Sequence, residues 1–500
     1  MLDSILIANR GEIAIRIIRA CRLLNKRSIV LFSEEDSSSL HIKMANEAHN
    51  LGSGSIQDTY LNMDKILEIA SYSDADAIHP GYGFLSESAI FAERIEKAGI
   101  KFIGPTSNVL NQLGDKMKAK KLAQEVEIPT VPGSDGYVSN VDEAEEVVEE
   151  IGYPIIIKSG FGGGGRGMEI VNSAPSLEIS LLGCQTVSER FFGKKEVFIE
   201  KYIKAPRHVE IQFLSDNYGN TIHLGDRECS IQRAHQKIIE EAPSFLPSRQ
   251  RNSLGKKVCA LADNLSYTNA GTAEFLWKDK KLFFNEVNPR IQVEHPVTEM
   301  ITGVDLIVQQ LKIADDEELE LKQEDIEYRG HAIEFRINAE DPLKSFYPQS
   351  GTVTNLTIPG GNNVRFDTYL YNSYKLPNCF DSLVGKLIIW GENRDETIER
   401  SRLALQELTI SGITTNIPLH QAILENTEFH SRRITTDFLE IQKIHEIITH
   451  YEKMKLAAAF KIHDLSKEQR NPLIMNRDKR ILETNRWKEQ SKIEQQRKYP

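Results

Sequence analysis

Six glycines crowd the stretch from Lys158 to Gly167, and no other part of the sequence is so specialised. Ordering that much glycine sacrifices chain entropy, which makes sense where something needs the bare backbone. Exposed N–H groups can approach the oxygens of a polyphosphate, with Lys158 adding a point charge. The stretch formally contains G-x-G-x-x-G from Gly162 to Gly167, but that dinucleotide fingerprint must open a helix. Here Met168-Glu169-Ile170-Val171 reads as a strand. Nor does the run end in the Gly-Lys-Ser/Thr of a P-loop. The chemistry it predicts is a glycine hairpin folded over phosphates.

A second group lies around Glu274 and Phe283-Phe284-Asn285-Glu286-Val287-Asn288. Alternation along a strand puts Glu286 and Asn288 on one side. Two carboxylates and an amide oxygen suit Mg2+, a hard cation that keeps substrate phosphates in its shell. Any one of these residues alone reads as a solvated strand end; together with a phosphate loop they read as a metal site. Directly after comes Arg290-Ile291-Gln292-Val293-Glu294-His295-Pro296. Arg290 offers a planar fork to a carbonate-like oxygen pair, and Glu294 could take a proton from a bound acid. A structural arginine–glutamate pair accounts for them equally well, and these residues alone do not choose. His235-Gln236-Lys237 and Arg207-His208-Val209-Glu210 add charge near strands, where a lone histidine is more often a hydrogen-bonded structural group.

Those side chains need elements to hold them. Ile5 to Ala8 reads as a buried strand, Ile13, Ile17, Cys21 and Leu24 repeat at helical spacing, and Ile29 to Phe32 is a second strand. This βαβ unit predicts a parallel, doubly wound lobe. It continues through Ala77-Ile78-His79, a helix from Ala89 to Lys97 and a strand at Lys101 to Ile103, and ends near Gly114. Between Ile128 and Tyr202 a small α+β segment, with a helix over Val141 to Glu150 and strands at 155–158, 168–171 and 196–200, reads as a hinged lid. Short strands such as Val209 to Leu214 and Phe283 to Val287 then mix with helices, as in a large α+β lobe.

Composition excludes several classes. A net charge of -11, from 61 Lys+Arg against 72 Asp+Glu, disfavours a nucleic-acid partner. Cys21, Cys184, Cys229, Cys259 and Cys379 form no C-x-x-C pair and read as inert thiols in a reducing compartment. The first residues carry no signal-peptide pattern and no apolar run reaches spanning length, so a cytoplasmic protein without membrane contact is expected.

Taken in order, Asn9-Arg10-Gly11-Glu12-Ile13-Ala14, His79-Pro80-Gly81-Tyr82-Gly83-Phe84-Leu85-Ser86-Glu87, the glycine loop, Pro206 to Glu210, His235-Gln236-Lys237 and Arg290 to Glu299 closely resemble the biotin carboxylases of the ATP-grasp superfamily. The resemblance runs from Leu2 to about Leu439. It implies an α/β and α+β chain: a doubly wound pre-ATP-grasp lobe over 1–114, an ATP-grasp domain over 115–330 with a mobile lid at about 131–203, and a biotin carboxylase C-terminal α+β region over 331–446. A basic extension over 447–500 remains. The implied reaction is ATP plus bicarbonate plus a biotinyl carrier protein giving ADP, phosphate and the carboxybiotinyl carrier, through carboxyphosphate.

By the same resemblance, Lys116, Lys158, Glu200, Lys201, Ile203, His208 and His235 line the nucleotide site, with Gly164 and Gly165 over the phosphates. Glu274, Glu286 and Asn288 hold Mg2+ (or Mn2+). Lys237, Arg290, Gln292 and Val293 meet bicarbonate, Glu294 is the base, and Arg336 meets the ureido oxygen of biotin. Partners follow: a biotin carboxyl carrier protein, further copies of this chain and a carboxyltransferase subunit, in a larger complex. Lys453-Met454-Lys455-Leu456 has a Met-Lys pair like a biotinylation site, but its neighbours look helical, so biotin is expected on a separate carrier. The expected acceptor is acetyl-CoA or propionyl-CoA, with the pyruvate of a pyruvate carboxylase as runner-up. Two rivals stand beside this reading: another bicarbonate-activating ligase of the superfamily, and a nucleotide-binding regulatory subunit without catalysis.

Overall fold

The computed structural model describes residues 1–161, 167–444 and 446–449, with single positions at 453, 457 and 461. Residues Met1–Gln442 form one compact unit and Lys443–Pro500 a second. In the second, positions 446–449 are helical. Gly164, Gly165 and Lys455 lie outside the described residues, as does nearly all of the basic extension.

The first lobe is built on β1 (Ser4–Ile7), β2 (Arg27–Phe32), β3 (Glu47–Asn50), β4 (Ala77–His79) and β5 (Lys101–Phe102). They form one parallel sheet in the order β3-β2-β1-β4-β5. The order reverses beside β1, so helices cover both faces, as a doubly wound sheet requires. The helix Gly11–Leu23 buries Ile13, Ile17 and Cys21, the stripe that its sequence spacing marks.

The lid segment is a three-stranded antiparallel sheet, β7-β6-β8, from β6 (Ile155–Ser159), β7 (Met168–Val171) and β8 (Val197–Lys201). Helices Val141–Ile151 and Leu177–Phe192 cover it with a separate core that includes Val148, Ile155, Ile157, Leu181 and Ile199. Asn140 caps the first helix by accepting from the Glu143 N–H.

Eight antiparallel strands make the central sheet: β9 (Arg207–Ser215), β10 (Thr221–Arg233), β11 (Gln236–Ala242), β12 (Asn269–Lys278), β13 (Lys281–Asn288) and β14 (His331–Asn338), joined by strands Leu383–Gly391 and Val364–Thr368. Their order is β13-β12-β9-β10-β11-β14, then Leu383–Gly391 and Val364–Thr368. Val209, Ile211, Phe213, Ala273 and Phe275 bury one face against the helix Ser248–Asn264. Each large side chain buried there contributes roughly 1.5–3 kcal/mol. The alternate residues His208, Glu210, Gln212, Thr272 and Glu274 turn to the other face, and all five are buried. A sheet with one apolar and one buried polar face must pair every charge on the polar side, and that side is where the chemistry sits.

Two bulges aim the polar side chains. Glu274 faces Glu286 while Phe275 faces Phe284, leaving Asn285 as an extra residue in β13. Phe284 therefore stays in the core while Glu286, of the same parity, turns with Glu274 and Asn288 to the polar face. In β11, Ile231 pairs Ile239 and Gln232 pairs Lys237, so Ile238 is extra. Lys237 and Glu240, three residues apart, thereby join one cluster: Lys237 donates to Glu294, and Glu240 accepts from Arg336, which also donates to Glu294. Among the described residues no helix is long and apolar enough to cross a membrane.

Candidate active site

A cavity of about 1890 Å3 lies between the first lobe, the lid and the central sheet. Lys116, Lys158, Glu200, Lys201, Ile203, His208 and His235 line it, as do Lys237, Glu274, Glu286, Asn288, Arg290, Gln292, Val293 and Arg336. Of the described candidates only Glu294 stands behind the wall, fully buried. It reaches the cavity through its partners.

Lys237 is the hub. Its Nζ donates to Glu210 Oε2 at 2.6 Å, Glu274 Oε1 at 2.8 Å and Glu294 Oε1 at 2.7 Å. Burial opposes the ammonium charge, but Glu210, Glu274 and Glu294 outweigh it and hold the lysine well above its usual range. The carboxylates respond in kind. Burial works to raise Glu294, yet Lys237, Arg336 and Arg227 keep it well below the ordinary carboxylate range. Glu274 is likewise depressed, burial being overcome by Lys237 and His208. Both glutamates are therefore anions, their charge held by the cations around them.

Arg336 donates from Nε to Glu240 at 2.5 Å and from Nη2 to Glu294 Oε2 at 2.8 Å, so Glu294 bridges it to Lys237. Arg290 donates from Nε to Glu87 at 2.6 Å and from Nη1 to Gln292 Oε1 at 3.1 Å. The sequence pairing of Arg290 with Glu294 is thus not a contact: Glu87, from the first lobe, takes the arginine, and Glu294 goes to Lys237 and Arg336. Nη1 also donates to the Ile291 carbonyl at 3.1 Å and Nη2 to Asn288 Oδ1 at 3.3 Å, so Arg290 lines the cavity from a fixed position. Val293 contributes its carbonyl, which accepts from Lys386 Nζ at 2.8 Å.

Toward the lid, Lys158 and Lys120 both donate to Glu200, at 2.8 and 3.1 Å. Burial raises the Glu200 carboxyl, but the two ammonium groups lower it by more. Lys116 Nζ stands 3.6 Å from Glu286. Lys201 turns its ammonium away, onto the carbonyls of Gly152 and Tyr153, so only the rest of the residue lines the cavity. His208 Nε2 lies 3.2 Å from Glu274 Oε2, and its Nδ1 is 3.0 Å from the Gln232 amide. His235 projects from the two-residue turn between Arg233 and Gln236, where Ala234 and His235 both hold positive φ (47° and 64°). Such a turn ordinarily takes Asn or Gly, so non-glycine residues there carry backbone strain.

Glu274, Glu286 and Asn288 present oxygen donors from adjacent strands, and Asn288 Nδ2 already donates to Glu274 at 2.9 Å. The donor set is all hard oxygen, which fits Mg2+ and not a soft metal.

Comparison with known proteins bears on this geometry. Residues 1–110 match the biotin carboxylase N-terminal domain, 115–322 the ATP-binding domain of the carbamoyl-phosphate synthase L chain, and 334–441 the biotin carboxylase C-terminal domain. The chain is 48% identical over 443 residues to biotin carboxylase 1 of Bacillus subtilis, covering 88% of this chain and 98% of that protein. The chain belongs to the biotin carboxylase family. A pyruvate carboxylase component of Methanothermobacter thermautotrophicus is also 48% identical, over 88% of this chain and 90% of its own length. A crystal structure of the biotin carboxylase domain dimer of Hydrogenobacter thermophilus 2-oxoglutarate carboxylase, with MgADP, ADP and bicarbonate, superposes with a TM-score of 0.87 at 44% identity, covering 89% of this chain and 99% of that one. The ATP-binding region is shared with carbamoyl-phosphate synthases, but the two flanking domains belong to biotin carboxylases, which decides against another ligase of the superfamily.

Lys120, Arg227 and Glu240 of this biotin carboxylase were not foreseen from sequence, and Glu87 stood in a motif without a role. Arg227 is fully buried and donates to Glu210 Oε1 at 2.5 Å, Gln212 at 2.8 Å, Thr298 at 3.0 Å and Thr272 at 3.2 Å. One signal was available for it: Gly225-Asp226-Arg227-Glu228 sits inside an otherwise apolar-flanked run, where an interior charge demands a partner.

Proposed function

We propose that this biotin carboxylase binds ATP between the lid and the central sheet, activates bicarbonate at Arg290 and Lys237, and carboxylates biotin presented by a separate carrier protein beside Arg336. One observation carries the reading. The lysines suited to phosphates, the oxygen donors suited to Mg2+ and the Glu294–Lys237–Arg336 cluster line or adjoin a single cavity.

Lys116, Lys158 and His235 face the nucleotide, with Gly164 and Gly165 over its phosphates. Glu274, Glu286 and Asn288 would hold Mg2+ (or Mn2+), which supplies charge neutralisation for the transferring phosphoryl group. Bicarbonate sits against the Arg290 fork, with Lys237, Gln292 and the Val293 main chain around it. Glu294 takes the bicarbonate proton as the bicarbonate oxygen attacks the γ-phosphorus, ADP leaves and carboxyphosphate forms. In the unliganded cluster Glu294 is a weak base, because Lys237 and Arg336 both hold its charge. An arriving anion draws those cations toward itself and returns basicity to Glu294. Arg336 then stabilises the ureido oxygen while the phosphate released from carboxyphosphate takes the biotin N–H proton and the nitrogen captures the carboxyl carbon. Closure of the lid keeps water from the carboxyphosphate.

Relatives of similar identity are named for pyruvate, for 2-oxoglutarate and for no acceptor at all. The same half-reaction thus serves different acceptors, and in this reading a carboxyltransferase partner selects among them. The test is ATP cleavage that needs bicarbonate and is stimulated by free biotin but not by ammonia. Arg336→Ala removes roughly 10²–10³-fold of the biotin-dependent rate while ATP still binds. Undiminished carboxylation by that variant overturns the role given to Arg336.

A further inference from the structure

Glu240 on β11 and Glu334 on β14 stand directly opposite each other, both fully buried. Like charges facing across paired strands repel, and even one unpaired buried carboxylate is costly. Their oxygens are unequally served. Glu240 Oε1 accepts from Arg336, but Glu240 Oε2 and both oxygens of Glu334 have no hydrogen-bond partner among the described residues.

Each surrounding cation is shared with a partner outside the pair. On β11 itself Lys237 serves three carboxylates, and Arg336 of β14 serves Glu240 and Glu294. Lys386, from the strand Leu383–Gly391, pairs with Glu12 at 3.1 Å and with the Val293 carbonyl. The other groups that face the pair add no positive charge to it: the Cys229 thiol from β10, Glu294 just before the helix His295–Thr302, and Tyr82, which donates to Glu12. Burial, with Glu294 beside it, pushes Glu240 up to about 7 despite Arg336, and burial holds Glu334 well above the ordinary carboxylate range.

We infer that Glu240 and Glu334 together retain a proton at neutral pH and act as positioning residues for Arg336, fixing its guanidinium without cancelling its charge. The inference rests on the reading of Arg336 as the cation that meets the ureido oxygen. With the proton in place, Glu240 orients Arg336 through one hydrogen bond, and the remaining positive potential faces the cavity. Loss of that proton adds a negative charge behind Arg336, opposing the charge that develops on the ureido oxygen. The proton stays on the pair throughout turnover.

The experiment compares the pH dependence of biotin-stimulated ATP cleavage in the full chain and in Glu334→Gln, which fixes the neutral form without changing shape. The expected result is an alkaline decline displaced upward by about one pH unit or more, with KM for ATP and biotin-independent ATP cleavage unchanged. Glu334→Ala loses biotin-stimulated rate and Glu334→Gln restores it. An alkaline limb that coincides with that of the unmodified protein overturns the inference, as does a Glu334→Asp variant that works where Glu334→Gln fails. Should the variants not fold, isotope-edited infrared spectra of the unmodified protein at pH 7 decide it: a protonated carboxylic acid carbonyl band supports the pair, and its absence sinks it. Arg336→Ala separates the two failures. Full biotin-stimulated turnover in that variant removes the underlying reading, whereas its loss together with an unmoved limb in Glu334→Gln removes only the inference.

Discussion

At the scale of single residues, the site is a problem of burying charge. Glu210, fully buried, survives because Arg227 and Lys237 both reach it. Arg227 is itself held by three further oxygens, so Arg227→Leu takes away one of the two cations of Glu210 and leaves those oxygens without their donor; removing one partner of such a pair costs about 3–5 kcal/mol, read as a lower denaturant midpoint. Glu334 predicts the opposite sign. Its folded carboxyl is raised, so between the ordinary value near 4.3 and its folded value the native protein keeps a proton that the unfolded chain gives up. Stability therefore falls as pH rises through that window. Glu334→Gln lacks this loss, so it unfolds at a higher temperature than the unmodified protein at pH 8 and at the same temperature near pH 4. Such residues were hard to read in advance. Glu274 and Glu286 announced themselves by punctuating apolar strands, and Arg290 by its dense polar company. Glu240 stands beside Glu241, and Arg227 between Asp226 and Glu228, within strands, and only the three-dimensional register shows which partner each must answer.

At the scale of elements, helices were the more legible. The stripe Ile13, Ile17, Cys21 and the segment Ala89 to Lys97 carry helical spacing, and Ser88 caps the latter by accepting from the Phe91 N–H. The long strand β10 was not legible, because its Gly225-Asp226-Arg227-Glu228 interior lacks the apolar alternation that marks a half-buried strand. The bulges at Asn285 and Ile238 were equally hidden, since an inserted residue breaks the period that sequence reading relies on. Between the lid's β8 and the chain leading into it the fit is tight. A Cβ on Gly133 would lie 2.2 Å from the Ile199 carbonyl oxygen, and Gly133 bridges Glu200, the residue that gathers Lys158 and Lys120. Gly133→Ala must push that segment off β8, at about 1–3 kcal/mol for overpacking. The expected outcome is a several-fold higher KM for ATP with little change in the KM for bicarbonate, because Lys237 sits on the central sheet and Arg290 in the bend that follows β13, neither of them on the lid.

At the scale of the whole molecule, no single motif named the family; the order of six motifs along about 440 residues did, and the matches over 1–110, 115–322 and 334–441 have the same reach. The site lies where those regions meet, which gives nucleotide binding a global readout. A ligand that binds only the folded state stabilises it by about 2.7 kcal/mol at a hundred times its Kd. Glu274 and Glu286 face the same cavity as Lys116 and Lys158, so a triphosphate arriving alone meets two carboxylates as well as two lysines. Held by Glu274 and Glu286, Mg2+ would offset that repulsion. ATP should therefore raise the melting temperature strongly with Mg2+ and far less in EDTA. Glu286→Gln should narrow that difference, because it removes one of the two repelling charges and one of the ligands proposed for the metal together. If ATP protects equally with and without Mg2+, the carboxylates do not face the phosphates, and the metal site proposed at Glu274, Glu286 and Asn288 must be placed elsewhere.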